Sequence, residues 1–205
     1  MKPSLLIQAF TLTTVLLTGT ASADSANLIQ NGNFELTVFG TFTGYRIANA
    51  GTPSIANWTI SGASVDVIRD NFGAVSGNSI DLLGTPGPGS LSQGFSTIAG
   101  QHYQIRFDLS ANGVGGDSKE LSVSIGNNAT YHYFGDMNHN VTETFTYQAA
   151  TTGMTNLTFT SAASGYSGAV IDNVAVTAAV PEPENYATLI AGLGLLGFMA
   201  RRKPK

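Results

Sequence analysis

The amino-acid sequence predicts an all-β body folded as an antiparallel β-sandwich, with a short apolar helix at each end of the chain. Three observations carry this. Between residues 24 and 180 apolar side chains come in short runs of strict alternation, the pattern of strands with one buried face. Gly, Asn and Ser turn signals separate these runs at intervals of about 8–12 residues, the spacing of a sandwich. No stretch of the same region sustains a helical period.

The elements follow in chain order. Met1-Lys2-Pro3, an apolar run from Leu5 to Leu17 and the exit Ala21-Ser22-Ala23 have the three parts of a secretory signal peptide, so residues 1–23 are assigned to it with cleavage after Ala23. The sandwich domain spans 24–179. Val65 and Val67 alternate with Asp66, and Ile80 and Leu82 with Asp81. Tyr103, Ile105, Phe107 and Leu109 share one face of a longer strand, as do Leu121, Val123 and Ile125. Phe145 with Tyr147 and Leu157 with Phe159 repeat the pattern. Gly84-Thr-Pro-Gly-Pro-Gly89 reads as a surface turn. Pro181 and Pro183 then break any entering structure, and the charge-free stretch 187–200 predicts a helix of about 21 Å. That is shorter than the ~30 Å core of a bilayer, so insertion needs local thinning and snorkelling of the basic residues that follow.

Composition removes several function classes. Cysteine is absent, so an exported body rests on its core or on a metal. The body holds Arg46, Arg69, Arg106 and Lys119 against eleven acidic residues, a net charge of −7. Such a surface argues against nucleic acid. Gly192, Gly194 and Gly197 spell G-x-G-x-x-G, but only eight residues follow and no second strand can form, so no nucleotide is expected.

The tail, Val180-Pro-Glu-Pro followed by a Gly-rich apolar stretch and Arg201-Arg202, resembles the PEP-CTERM sorting signal of Gram-negative bacteria. That resemblance implies transient insertion in the inner membrane and processing by exosortase near Pro181, Glu182 and Pro183. It also implies delivery to the cell surface or extracellular matrix. The body opens with Asn27-Leu-Ile-Gln-Asn-Gly-Asn-Phe-Glu35 and closes with Ile171-Asp-Asn-Val174. Trp58-Thr-Ile, Ser79-Ile-Asp-Leu-Leu83 and Ser90-Leu-Ser-Gln-Gly-Phe-Ser96 lie between. This order resembles the choice-of-anchor C family of surface proteins and, through it, galactose-binding-like β-jelly rolls and carbohydrate-binding modules. Carried over from those modules, Glu35 and Asp172 would be side-chain ligands of a structural calcium joining the first and last strands.

Catalytic signals are sparse. There is no Cys nucleophile and no G-x-S-x-G elbow. His132 and His139 fit no standard zinc spacing and read as a polar, solvated loop. Asp66, Asp70, Asp81 and Asp108 could supply a glycosidase pair only across a cleft, and their alternation with apolar residues predicts outward, solvated positions. Aromatic residues are better candidates, because sugars are held by ring faces beside polar groups. Trp58, the single tryptophan, is one, with core packing as its other reading; Tyr131 and Tyr133 are placed with Tyr45, Phe72 and Tyr166 in Gly/Asn-rich loops. The expectation is a non-catalytic module for extracellular polysaccharide. The alternatives are a structural or adhesive matrix protein that binds other proteins and, behind it, a glycosidase or esterase.

Overall fold

The computed structural model describes residues 26–115, 119–126, 129–136, 139–161, 163, 165–179 and 190–197. The alternating runs become eleven strands among these: β1 (Gly44–Asn49), β2 (Thr59–Gly62), β3 (Ser64–Arg69), β4 (Asn78–Asp81), β5 (Gly89–Thr97), β6 (His102–Ala111), β7 (Glu120–Ile125), β8 (Ala129–Phe134), β9 (Val141–Gln148), β10 (Gly153–Ser161) and β11 (Ala169–Ala178). They form two sheets, ordered β1-β3-β4-β11-β6-β9 and β2-β5-β10-β7-β8. Every strand pairing is antiparallel. The all-β sandwich is therefore the observed fold, and Ser25–Ala179 form one compact unit.

The core lies between the sheets, where the alternation requires it. Val65, Val67, Ile80, Ile105, Phe107 and Ile171 from the six-stranded sheet meet Ile60, Leu91, Val123, Leu157 and Phe159 from the other. Phe107 and Phe159 meet edge to face across the interior, with centroids 5.2 Å apart. Burying each such ring stabilises the fold by about 1.5–3 kcal/mol.

The opening motif straps the two sheets together. Leu28 donates its N–H to Val176 of β11 at 2.8 Å, and Val174 donates to Gly32 at 2.9 Å. Gln93 of β5 exchanges two hydrogen bonds with the backbone of Gln30, at 2.7 and 2.9 Å. Glycine is required at position 32 because a Cβ there would lie 2.0 Å from the Val174 carbonyl oxygen.

The segment 84–89 departs from the surface turn read in the sequence. Gly84, Gly87 and Gly89 are buried, and the segment folds back on β3, with Thr85 donating to Asp66 at 3.1 Å, while Gly89 donates to Leu82 at 2.9 Å. At the C-terminus a helix covers 190–197, inside the 187–200 expected. Ile190, Leu193, Leu195 and Leu196 are exposed on it. No helix among the described residues is long and apolar enough to cross a membrane. Gly192, Gly194 and Gly197 sit within the helix rather than in a strand-to-helix turn. The signal peptide with Ala21 and Ala23, the Pro181-Glu182-Pro183 motif, and Arg201 and Arg202 lie outside the described residues.

Candidate ligand-binding site

On β3, Ser64, Asp66 and Ile68 alternate with the core-facing valines and point away from the interior. Asp66 stands opposite Asp81 of β4, and Ile68 opposite Ser79. Asp81 pairs with Val170 of β11, and Asp172 with Asp108 of β6. The outer face of the six-stranded sheet thus gathers four carboxylates. Asp66 and Asp81 are not in solvent as their alternation suggested: Asp81 is fully buried and Asp66 is 4% exposed, and Asp172 is fully buried as well. Asp108 is half-buried, and Asp70 is exposed.

The cover comes from loops that carry donors. Thr85 gives its N–H and its hydroxyl to Asp66, at 3.1 and 3.0 Å. Asp81 accepts from the N–H groups of Leu83 and Gly168, at 2.9 and 3.0 Å, and from the Asn112 amide at 2.8 Å. Asn112 also donates its own N–H to Gly168. The loop after β3 is pinned where Ser110 donates its hydroxyl to the Gly73 carbonyl. Burial pushes the Asp81 carboxyl up to about 7, against its three donors, and the Asp66 charge adds to the rise. Burial raises Asp66 as well, partly offset by Thr85.

Between these loops lies a cavity of about 330 Å³, at the small end of the range for ligand pockets, about 300–1,000 Å³. Tyr45, Phe72 and Tyr166 form aromatic walls; Asp66, Thr85, Asn112 and Ser167 supply polar atoms; Ile68 and Val114 complete the apolar lining. Tyr45 projects from β1 on the Asp66 face, since its cross-strand partner is Ile68. Its ring meets Phe72 edge on, at 5.9 Å and 87°. Phe72 holds a left-handed backbone, φ 61°, two residues after Asp70 at φ 65°. Such a conformation costs a non-glycine residue about 1 kcal/mol or more, and strained residues concentrate at functional sites.

The aromatic residues singled out from the sequence lie elsewhere, Trp58 in the core and Tyr131 and Tyr133 on a strand rather than in the loops expected of them. Trp58 is core: it is 4% exposed, it packs on Phe34 and Phe159 at 5.3 and 6.4 Å, and its indole N–H is given to Asn31. Tyr131 and Tyr133 belong to β8, not to a loop. They pair with Val123 and Leu121, and their half-buried rings meet Phe145 at 4.2 Å and Phe107 at 5.2 Å. Tyr45, Phe72 and Tyr166, named only as accompanying aromatics, are the ones that the fold brings together.

Glu35 and Asp172 do converge, on the segment 76–79. Glu35 accepts the Asn78 N–H at 2.7 Å. Asp172 accepts the Ser79 hydroxyl at 3.1 Å and the Asn173 N–H at 2.7 Å, and also the Ser76 N–H. The Arg69 guanidinium stands 3.9 Å from the second Glu35 oxygen. Calcium needs six to eight oxygen ligands. Here both carboxylates face N–H, O–H and guanidinium donors, and no cluster of three or more His, Cys, Asp or Glu residues suited to a metal occurs among the described residues. The donor set does not fit a calcium cage. It fits a hydrogen-bonded staple between the opening motif, β4 and β11. Burial pushes Asp172 up to about 7, and its donors only partly offset this.

The histidines also separate. His132 lies exposed on β8, 3.1 Å from Glu120, and His139 lies 3.1 Å from Asp136.

Comparison with known proteins adds family and fold. The model of a family described as "Protein of unknown function (DUF642)" matches residues 27–177, and the PEP-CTERM protein-sorting motif matches residues 179–203. Halomucin of Haloquadratum walsbyi is 30% identical over 193 residues, 85% of this chain; the chain spans 2% of that relative's length. A family 16 carbohydrate-binding module superposes with a TM-score of 0.50 at 12% identity, covering 74% of this chain and 99% of the module. A CBM4 structure gives 0.47 at 20% identity, covering 74% and 99%. A family 35 module from Clostridium thermocellum gives 0.41 at 14%, covering 67% and 100%. The first of these places the body among carbohydrate-binding-module folds.

Proposed function

The chain belongs to the DUF642 family, and from that premise, joined to its PEP-CTERM motif, we propose that it is an exported, non-catalytic carbohydrate-binding protein that holds extracellular polysaccharide in the cavity above β3 and β4. The sorting motif implies export and membrane-associated processing, with exosortase as the processing partner. The cell surface or extracellular matrix is the destination that reading favours.

The observation that carries the proposal is the pairing of aromatic walls with polar atoms in one cavity. Tyr45 is 45% exposed and Tyr166 66% exposed, so a sugar entering the cavity can reach both side chains. Asp66, Thr85 and Asn112 offer partners for its hydroxyls, the mixture that orients a ligand in such pockets. Hydrolysis is disfavoured by the same geometry. A glycosidase needs two carboxyls about 5–10 Å apart across the scissile bond. Asp81 is fully buried beneath Asn112 and cannot reach a substrate, which leaves Asp66 alone in the cavity.

A glycan array and polysaccharide pull-down with the protein and its Tyr45→Ala and Tyr166→Ala variants test this. Binding that falls about tenfold or more in either variant, with melting temperature unchanged, supports the site. Retention by both variants at full affinity refutes it.

A further inference from the structure

A second cavity lies at the far end of the body, and we infer that it is a separate binding site, independent of the first, for a neutral sugar residue. It occupies a notch in the five-stranded sheet. The pairing of β10 with β5 begins at Gly153, opposite Thr97. Its pairing with β7 begins only at Leu157, opposite Ile125. The residues from Gly153 to Asn156 therefore reach past the end of β7, where Gly126 gives its N–H to the Asn156 carbonyl at 2.9 Å. The space left is about 410 Å³, within the range of ligand pockets. Tyr147, in its lining, pairs with Tyr103 at the start of β6, whereas the cavity above β3 and β4 is lined by Asn112, just past the end of that strand. β6 is ten residues long, so the two openings stand about 30 Å apart along it.

The observation that carries this is a hydroxyl with nothing to bond. Tyr147 is 8% exposed and packs in the core, yet its hydroxyl bonds to none of the described residues. Among these residues the side-chain oxygen that is both sealed from solvent and without a partner is Ser161 Oγ. The Tyr147 hydroxyl is therefore not sealed, and the cavity it lines is what it opens into. A buried tyrosine normally finds a partner for its O–H. Gly126 keeps the approach clear: it holds φ 57°, and a Cβ there would stand 3.1 Å from the Tyr147 oxygen.

The rest of the lining suits a sugar. The Thr97 hydroxyl stands 3.2 Å from the carbonyls of Thr151 and Gly153, which only accept, so its single proton is committed to them. In the 2.9 Å contact between Thr97 and Thr155 the donor is then Thr155, whose Oγ1 keeps lone-pair room for a ligand O–H. The buried end of the site thus offers one oxygen that gives and takes, on Tyr147, and one that takes, on Thr155. Asn156 is exposed and lines the cavity too, adding an amide with both kinds of group. Met154, 70% exposed, supplies an apolar side. Its methyl lies over Gly94, where a Cβ would come within 2.9 Å of it. None of the residues lining this cavity is charged. Hydroxyls that donate and accept in turn, set on apolar C–H faces, are what a neutral pyranose brings to such a mixture.

The test is an NMR titration of the isotope-labelled protein with neutral trisaccharides of glucose, of galactose and of mannose at millimolar concentration. At least one should shift the amide signals of Gly126, Thr151, Thr155 and Asn156 as a set. Tyr166→Ala, in the other cavity, should leave those shifts as they are. Tyr147→Phe removes only the oxygen. It should weaken binding at this set by about fivefold or more, with the melting temperature unchanged or raised, since no bond within the protein is lost. Asn156→Ala, at an exposed position, should weaken it similarly. Absence of shifts at this set with all three sugars overturns the inference, whatever happens at Tyr45 and Tyr166. Shifts that persist at full affinity in Tyr147→Phe overturn it too, and so does a lowered melting temperature in that variant, which would make the hydroxyl structural. Shifts that Tyr147→Phe weakens, in a protein whose binding ignores Tyr45→Ala and Tyr166→Ala, would uphold this site and refute the other.

Discussion

Replacing Asp81 by asparagine should flatten an unusual dependence of stability on pH. Asp81 is fully buried, and its carboxyl titrates at about 7 in the folded chain against about 4 when unfolded. The folded state therefore holds this proton more tightly than the unfolded state does. The stability it contributes is fully present below about pH 4 and is lost as pH rises to about 7. Between about pH 5 and pH 8 the loss from Asp81 alone is about 2–3 kcal/mol, a fall in melting temperature of roughly 4–10 °C for a domain of this size. Asp172, also pushed up to about 7, contributes with the same sign. The assay is thermal unfolding by circular dichroism at intervals across that range. The native chain should melt higher at the acidic end, and Asp81→Asn should remove about half of the slope, because the amide keeps an oxygen for the Leu83 and Gly168 N–H groups. A melting temperature that rises from pH 5 to pH 8, or a slope undiminished in Asp81→Asn, would refute the reasoning.

Three further outcomes follow from the packing. Trp58→Ala should cost about 3–5 kcal/mol in denaturant unfolding, because it empties space between Phe34 and Phe159, yet leave ligand affinity unchanged in the folded fraction. Gly32→Ala should cost at least about 1–3 kcal/mol, since its Cβ would collide with the Val174 carbonyl and pry the opening strap from β11; equal stability in the same measurement would contradict the contact. A chelator should leave the melting temperature unchanged, while Glu35→Ala lowers stability by about 1–3 kcal/mol through the orphaned Asn78 N–H; a chelator-induced drop would restore the calcium reading.

The legibility of the site varied residue by residue. The face of Asp66 was readable from its alternation with Val65 and Val67, but its burial was not, because the cover is built from loops near 72, 85, 112 and 166 that are distant in sequence. For the same reason Gly84–Gly89 read as an exposed turn although it closes against β3. Trp58 could be core or ligand platform on composition alone; the rings of Phe34 and Phe159 settle it as core. Tyr131 and Tyr133 alternate with His132 in a strand pattern, a signal that would have placed them on β8, facing in. Asp70 and Phe72 gave no local warning of their left-handed backbone.

The class of the body, its acidic and cysteine-free character, and the sorting motif at its end are all written in the amino-acid order. Each rests on local or summed properties: period-two alternation, charge, and the order of short motifs. Which aromatic residues meet, which carboxylates lose their water and where the cavity opens are set by the folded chain. Those outcomes depend on strand order, in which β1, β3, β4 and β11 become neighbours, and on loops that reach across them. That residues 45 and 166 line one cavity, or that Gly168 donates to Asp81, leaves no mark on either segment alone. The free energy of burying or satisfying a polar group is set by what packs over it, and that is a property of the folded chain.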